Sequence, residues 1–199
     1  MKLEILTYPN PQLREVSEPV TEFGPELKKL IDDMLETMYD ANGIGLAAAQ
    51  VGKLIQLLVI DTRPRDLERT DDDDQTELEK KIRQPLILIN PEIIKGEGKT
   101  TFDEGCLSVP SFFETVERFE RIEVKAFDSD GKEFRFETDG LLAICIQHEM
   151  DHLDGTLFID HISFTKSNKI KNTIKKSGYP TKEEIAEKKT QRKKVPAKV

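Results

Sequence analysis

Residues 140–153, GLLAICIQHEMDHL, constrain this chain more than any other stretch. The first two turns are apolar on most faces, so a helix here has no side to turn to water and must lie deep in the fold. The same helix carries His148, Glu149 and His152, and such groups are buried only where something pairs with them. Four residues advance a helix by about 6 Å and return to nearly the same face, so imidazoles at 148 and 152 can converge on one ion. Glu149 projects beside them, positioned to take a proton from activated water rather than to ligate. A chance pair of surface histidines is the bland alternative, and the buried character of the helix argues against it.

A helix of this kind has to be wrapped, and the remaining sequence supplies strands. KLIQLLVID (53–61) and PLILINP (85–91) are short, β-rich apolar runs ended by turn residues, and LFID (157–160) also reads as a strand. RIEVKAFDSDGKEFRFET (121–138) alternates, breaks at Asp130-Gly131 and alternates again, which is the pattern of a hairpin. Ahead of them, Leu27, Leu30, Ile31, Met34, Leu35 and Met38 fall at spacings of three and four, predicting an amphipathic helix from Pro25 that Asn42-Gly43 stops. A length of 199 residues suits one domain with an appendage.

Charge divides the chain unevenly. Of its 30 basic and 38 acidic residues, Lys166 to Val199 holds 12 basic and 3 acidic, a net +9, which leaves 18 basic against 35 acidic, a net −17, on residues 1–165. An acidic body excludes nucleic-acid binding over most of its surface, whereas a basic tail can still meet phosphate. The expected organisation is a catalytic domain over 1–165, with an acidic loop insertion at about 66–84, and a basic tail over 166–199. That tail is expected to be partly helical around Ile170 and Ile185, or disordered. The four aspartates at 71–74 read as a solvated loop; a calcium cluster is the alternative, but side chains at i and i+1 do not face one another. Two cysteines, no charged-then-apolar leader and no apolar run near about 20 residues point to a soluble, cytoplasmic protein with no membrane contact.

Candidates for a third metal ligand are few. The longer protease pattern HExxHxxGxxH is followed through Gly155 but meets Phe158 where its last histidine should stand, and no glutamate follows before Glu183 in the tail. His161 is possible. Cys145 lies one turn before His148, but helical side chains tilt toward the N-terminus, so its thiol leans away from an ion between 148 and 152. Cys106, in DEGCLSVP, could be carried to the helix by a loop that Gly105 frees and Pro110 ends. The residues alone leave Cys106 open between a ligand and a buried small hydrophobe.

Three stretches, GIGLAAAQ (43–50), EGCLS (104–108) and QHEMDH (147–152), together resemble in identity and order the three motifs of the peptide deformylases. These metalloenzymes remove the formyl group from the N-terminal methionine of newly made bacterial and organellar proteins. Family-like sequence runs from about Leu3 to Ile162. The resemblance implies an α+β fold, with antiparallel β-sheets wrapped around a central buried helix carrying HExxH. It implies that Cys106, His148 and His152 hold one divalent ion, that Glu149 is the general acid/base, and that Gln50 with the Leu107 N–H polarises the formyl oxygen. Gly45 would lend backbone hydrogen bonds to an extended formyl-methionyl nascent peptide. A Cys-His-His set suits Fe(II) and Zn(II) alike.

Leu141, Ile144 and Cys145 continue the stripe that ends in the histidines, and with Ile44 facing it they would form an oily pocket for a methionine side chain. Plain core packing is the alternative for Leu141 and Ile144. Asp151 is either a hydrogen-bond partner behind the ligands or an exposed helix residue. The tail offers a contact for ribosomal RNA, since a nascent N-terminus lies near a large phosphate surface. The sequence departs from the family at the 66–84 insertion, at Phe112-Phe113, a stretch often polar or basic, and in the tail. A zinc endopeptidase is the rival enzyme class, disfavoured by Phe158. A silent metal-binding module is the rival outside enzymes, but a structural site normally closes with a fourth protein ligand.

Overall fold

Strand β2 (Leu57–Ile60) is buried at all four positions because it has a helix on each face. In the computed structural model, which describes residues 1–63 and 75–180, Leu58 and Ile60 pack with Leu142, Ala143 and Ile146 of α2 (Gly140–Leu153). Leu57 and Val59 pack with Ile31, Met34 and Met38 of α1 (Pro25–Asp40). An apolar run without alternation is what a strand covered on both sides requires. β2 belongs to an antiparallel sheet of order β1-β2-β3-β6-β7, formed with β1 (Gly45–Ala47), β3 (Leu86–Glu97), β6 (Arg121–Phe127) and β7 (Glu133–Asp139). A separate hairpin joins β4 (Thr100–Cys106) to β5 (Val109–Arg118). The class is α+β, with antiparallel sheets around a central helix that carries the histidines.

The buried helix is held at its start by a residue from the acidic insertion. Asp139 gives α2 no side-chain cap. Instead Glu79, 1% exposed, accepts from the Leu142 N–H at 2.7 Å through Oε1 and from the Thr76 N–H at 2.8 Å through Oε2. The unpaired N–H groups and positive end of a helix N-terminus are what make a buried carboxylate tolerable there. The last residues of the 66–84 stretch are therefore part of the helix's support rather than free loop. Asp71–Asp74, with the calcium alternative, lie outside the described residues.

Two expectations change. β3 does not stop at Pro91 but runs on to Glu97, because a register shift between Ile89 and Glu92 and a φ of 48° at Asn90 absorb the proline as a bulge. Asn90 substitutes for the interrupted ladder, its amide accepting from the Val20 N–H at 2.8 Å and donating to the Val20 carbonyl at 2.9 Å. Residues 157–160 are not a strand: Phe158–Asp160 forms a 3-10 turn, with the Asp160 carboxylate accepting from the Leu157 N–H at 2.9 Å. Around Ile170, where the tail is expected to be helical or disordered, it is helical. Helix α3 (Phe164–Ser177) starts ahead of residue 166, and its Ile170 and Ile174 are buried against Val109, Val116 and Phe158. The stretch around Ile185 lies outside the described residues, and among those described no helix is long and apolar enough to cross a membrane.

Candidate active site

Cys106 is delivered by a strand rather than a loop, as the last residue of β4. The pairing breaks there, from Gly105 opposite Phe113 to Cys106 opposite Val109, and the thiol ends 3.3 Å from His152 Nε2. One ligand atom each from Cys106, His148 and His152 lies within 4.8 Å of the others, and the two rings stand at 79° with centroids 5.2 Å apart. Bonds of about 2.3 Å to sulfur and about 2.0–2.1 Å to nitrogen at tetrahedral angles put ligands somewhat over 3 Å apart. A thiol and two imidazoles gathered this closely fit a divalent ion.

A buried chain of charges fixes one of those imidazoles. His148 Nδ1 lies 2.8 Å from Glu104 Oε2, which leaves Nε2 for the ion. Glu104 is in turn gripped by Arg118, whose Nε and Nη2 donate at 2.7 and 2.9 Å. Burial raises the Glu104 pKa, but the bonds from Arg118 and His148 outweigh it and hold the carboxyl at about 2. Arg118 also donates to Asp151 Oδ2 at 2.7 Å, and His161 Nε2 meets the same oxygen at 2.7 Å. Asp151 is thus a hydrogen-bond partner behind the ligands, and His161 is engaged there instead of at the metal donors. Phe158, standing where the protease pattern has its last histidine, lies with its ring 6.4 Å from that of His148 at 23°.

Sequence reasoning missed Glu104 and Arg118. Strand alternation puts residue 104 on the same face as 106, a signal hidden by reading EGCLS as a loop. Arg118 carried no local signal at all.

Glu149 is 4% exposed and its Oε2 has no hydrogen-bond partner. Burial pushes its pKa up; the nearby His148 opposes and Glu104 adds to the rise, leaving it at about 7. A carboxyl poised there can both accept and return a proton near neutral pH. Gly45 permits this packing, because a Cβ at 45 would stand 2.4 Å from Glu149 Oε1 and 2.8 Å from Cys145 Sγ. Gln50, in the 3-10 turn Ala48–Val51, is aimed by the Ala47 N–H, which donates to its Oε1 at 2.8 Å. Its amide nitrogen faces Ser108 Oγ at 3.2 Å and Cys106 Sγ at 3.6 Å.

These groups open on a cavity of about 500 Å³. Ile44, Leu141, Ile144 and Cys145 line one part of it, and Leu107 borders it beside Cys106. Cys145 Sγ is 3.7 Å from the Ile44 carbonyl, outside the group of three donors, and burial pushes its thiol well above the ordinary range.

Three donors that could hold an ion, on a buried helix and a strand, with a carboxyl oxygen left without a partner beside them, fit a metal-dependent hydrolase of the HExxH class. Comparison with known proteins narrows that class. The family model for polypeptide deformylase matches residues 2–168, and the chain belongs to that family. It is 49% identical over 174 residues to the peptide deformylase of Alkalilimnicola ehrlichii, covering 87% of this chain and 89% of that protein. The crystal structure of a peptide deformylase from Legionella pneumophila superposes with a TM-score of 0.75 at 37% identity, covering 98% of this chain and 100% of that one. That of Ehrlichia chaffeensis, in complex with actinonin, gives 0.77 at 38% identity, covering 89% and 99%.

Proposed function

We infer that the chain hydrolyses the N-formyl group from the N-terminal formyl-methionine of newly synthesised polypeptides and releases formate. The observation that carries this reading is the buried Glu149 carboxyl, its Oε2 without a hydrogen-bond partner, set beside the Cys106, His148 and His152 donors at the wall of an apolar cavity. When bound by these three residues, a divalent ion, Fe(II) or Zn(II), supplies Lewis-acid polarisation of the formyl carbonyl and acidifies a water.

The protein's own residues do the rest. Glu149 takes a proton from the water whose oxygen attacks the formyl carbon. The oxyanion that develops is met by the Gln50 amide and the Leu107 N–H, each such donor typically stabilising the transition state by about 3 kcal/mol. Glu149 then returns its proton to the peptide nitrogen as the carbon–nitrogen bond breaks. Formate and a free amine leave.

Substrate placement follows from the surrounding elements. The methionine side chain enters between Ile44, Leu141, Ile144 and Cys145, where an unbranched apolar chain meets no polar group needing water. Among the described residues β1 pairs with β2 alone, so Gly45 on its outer edge can bond an extended peptide through its backbone. A thiol ligand has to stay reduced, and both cysteines are free, which supports a cytoplasmic setting. The catalytic unit is assigned to residues 1–165, and the basic tail, net +9 over 166–199, is assigned a contact with ribosomal RNA.

Incubation with a formyl-methionyl peptide and with an unblocked peptide tests the reading. Formate from the first supports it. Internal cleavage of the second, with no formate from the first, would replace it with an endopeptidase.

A further inference from the structure

The two segments that carry the oxyanion donors are tied together by a third. The Leu6 N–H donates to the Gln50 carbonyl at 2.8 Å and the Tyr8 N–H to the Ser108 carbonyl at 2.8 Å. Residues 6–8 thus bridge the 3-10 turn of Gln50 and the turn that follows Cys106. Ser108 is fully buried and points its remaining polar groups at the site. Its N–H donates to Cys106 Sγ at 3.3 Å, and its Oγ meets Gln50 Nε2 at 3.2 Å. A shift of this one residue therefore moves the neighbouring Leu107 N–H, the thiol and the Gln50 amide together.

The bridge is locked from the far end of the described chain. Helix α3 ends at Ser177, and Gly178, with a φ of 70°, lets the backbone turn out of the helix. Tyr179 then reaches back beneath the site. Its hydroxyl donates to the Tyr8 carbonyl at 2.7 Å and stands 3.4 Å from the Ser108 carbonyl. Its ring meets that of Phe112 edge-on, with centroids 6.3 Å apart at 66°. Tyr8, Cys106, Phe112 and Tyr179 all pack on the buried cluster of Val109, Val116 and Phe158. Phe112, at one of the places where the sequence departs from the family, thereby has a partner from beyond the three motifs. A half-buried tyrosine whose ring is packed and whose hydroxyl is engaged is held in one pose.

We propose that Tyr179 is a positioning residue for the reaction: by holding Tyr8 against Ser108, it sets the turn that carries the Cys106 thiol and the Leu107 N–H against the Gln50 amide. This deepens the deformylase reading and rests on it for the roles of Gln50 and Leu107. The Leu107 N–H acts on charge that develops only in the transition state, so a loosened turn lowers kcat and leaves substrate binding as it was. The Ser108 N–H draws electron density from the sulfur, so the same loosening strengthens the thiolate's donation to a bound ion.

The test uses Tyr179→Phe in the full chain, which keeps the ring and removes one hydroxyl. On a formyl-methionyl peptide its kcat should fall about tenfold, which corresponds to about 1.4 kcal/mol, with KM within about twofold of wild type. In the Co(II)-loaded protein, the thiolate-to-metal charge-transfer band should move to longer wavelength. Ile174→Val loosens α3 without touching the hydroxyl. It should lower the thermal unfolding midpoint of the metal-free protein at least as far as Tyr179→Phe does, yet keep the wild-type kcat and band. Wild-type kcat or an unmoved band in Tyr179→Phe overturns the proposal. An equal fall of kcat in Ile174→Val also overturns it, by making Tyr179 a structural residue only. If the wild type releases no formate, the deformylase reading falls and the band alone decides: an unmoved band overturns the hold of Tyr179 on the turn, and a shifted one retains it.

Discussion

Glu149 holds a carboxyl near neutrality without ligating, and this separates its role from that of its neighbours. Glu149→Gln keeps the shape but cannot accept a proton, so bound metal should stay at wild-type level while turnover falls by at least about 100-fold. Elemental analysis beside formate release measures both; loss of metal together with activity would make Glu149 structural. The two cysteines should divide in the same way. Cys106→Ala removes a donor within 4.8 Å of the other two and should empty the site, whereas Cys145→Ala should keep the metal and alter affinity for the first substrate residue. The histidine pair was legible from spacing alone because the helical period is fixed. Cys106 was a candidate from the residues alone, but they left it open between a ligand and a buried small hydrophobe until the resemblance, since no local period links a residue on β4 to one on α2. Glu104 and Arg118 were invisible because the register that brings them together is set by pairing across the fold.

At the scale of elements, the motif helix depends on what meets its first turn. Glu79→Ala leaves that turn without its carboxylate and should cost about 1–2 kcal/mol, read as a lowered urea midpoint. A cost close to zero would mean that water replaces it freely. A second tie holds the end of β2 to α1: Asp61 accepts from the Tyr39 hydroxyl at 2.7 Å and from Arg63 at 2.8 and 2.7 Å. Its own N–H donates to the Ile44 carbonyl at 2.8 Å, fixing the cavity rim. Burial raises the Asp61 pKa, but the bonds from Arg63 and Tyr39 outweigh it and hold the carboxyl below its usual value. A depressed pKa contributes stability above the unfolded value, about 3.9, and that contribution is lost as pH falls through the folded value. Asp61→Asn should therefore be less stable than wild type at pH 7, with a gap that narrows below about pH 4. Thermal midpoints across that range check it, and a constant gap would contradict it. Helix α1 and the 121–138 hairpin were readable because their patterns repeat over many residues. The β3 bulge was not, since a proline read locally ends a strand and only the Val20 contact allows it to continue.

Across the whole molecule, α3 joins the tail to the body. Deleting 166–199 would strip away Ile170 and Ile174, which are 5% and 6% exposed, and should destabilise the protein by several kcal/mol, given about 2–5 kcal/mol for a large buried aliphatic. Deleting only 181–199 should spare stability and small-peptide turnover, and should weaken salt-sensitive co-sedimentation with ribosomes; unchanged co-sedimentation would remove the assigned role. The central claim, that one divalent ion at Cys106, His148 and His152 serves a deformylation driven by Glu149, is tested most directly by adding Fe(II) or Zn(II) stepwise to the metal-stripped, full-length protein under anaerobic conditions while following formate release from a formyl-methionyl peptide. The account predicts activity that rises in proportion to metal and levels off at one ion per chain. Full activity without metal, or a filled site that releases no formate, would contradict it.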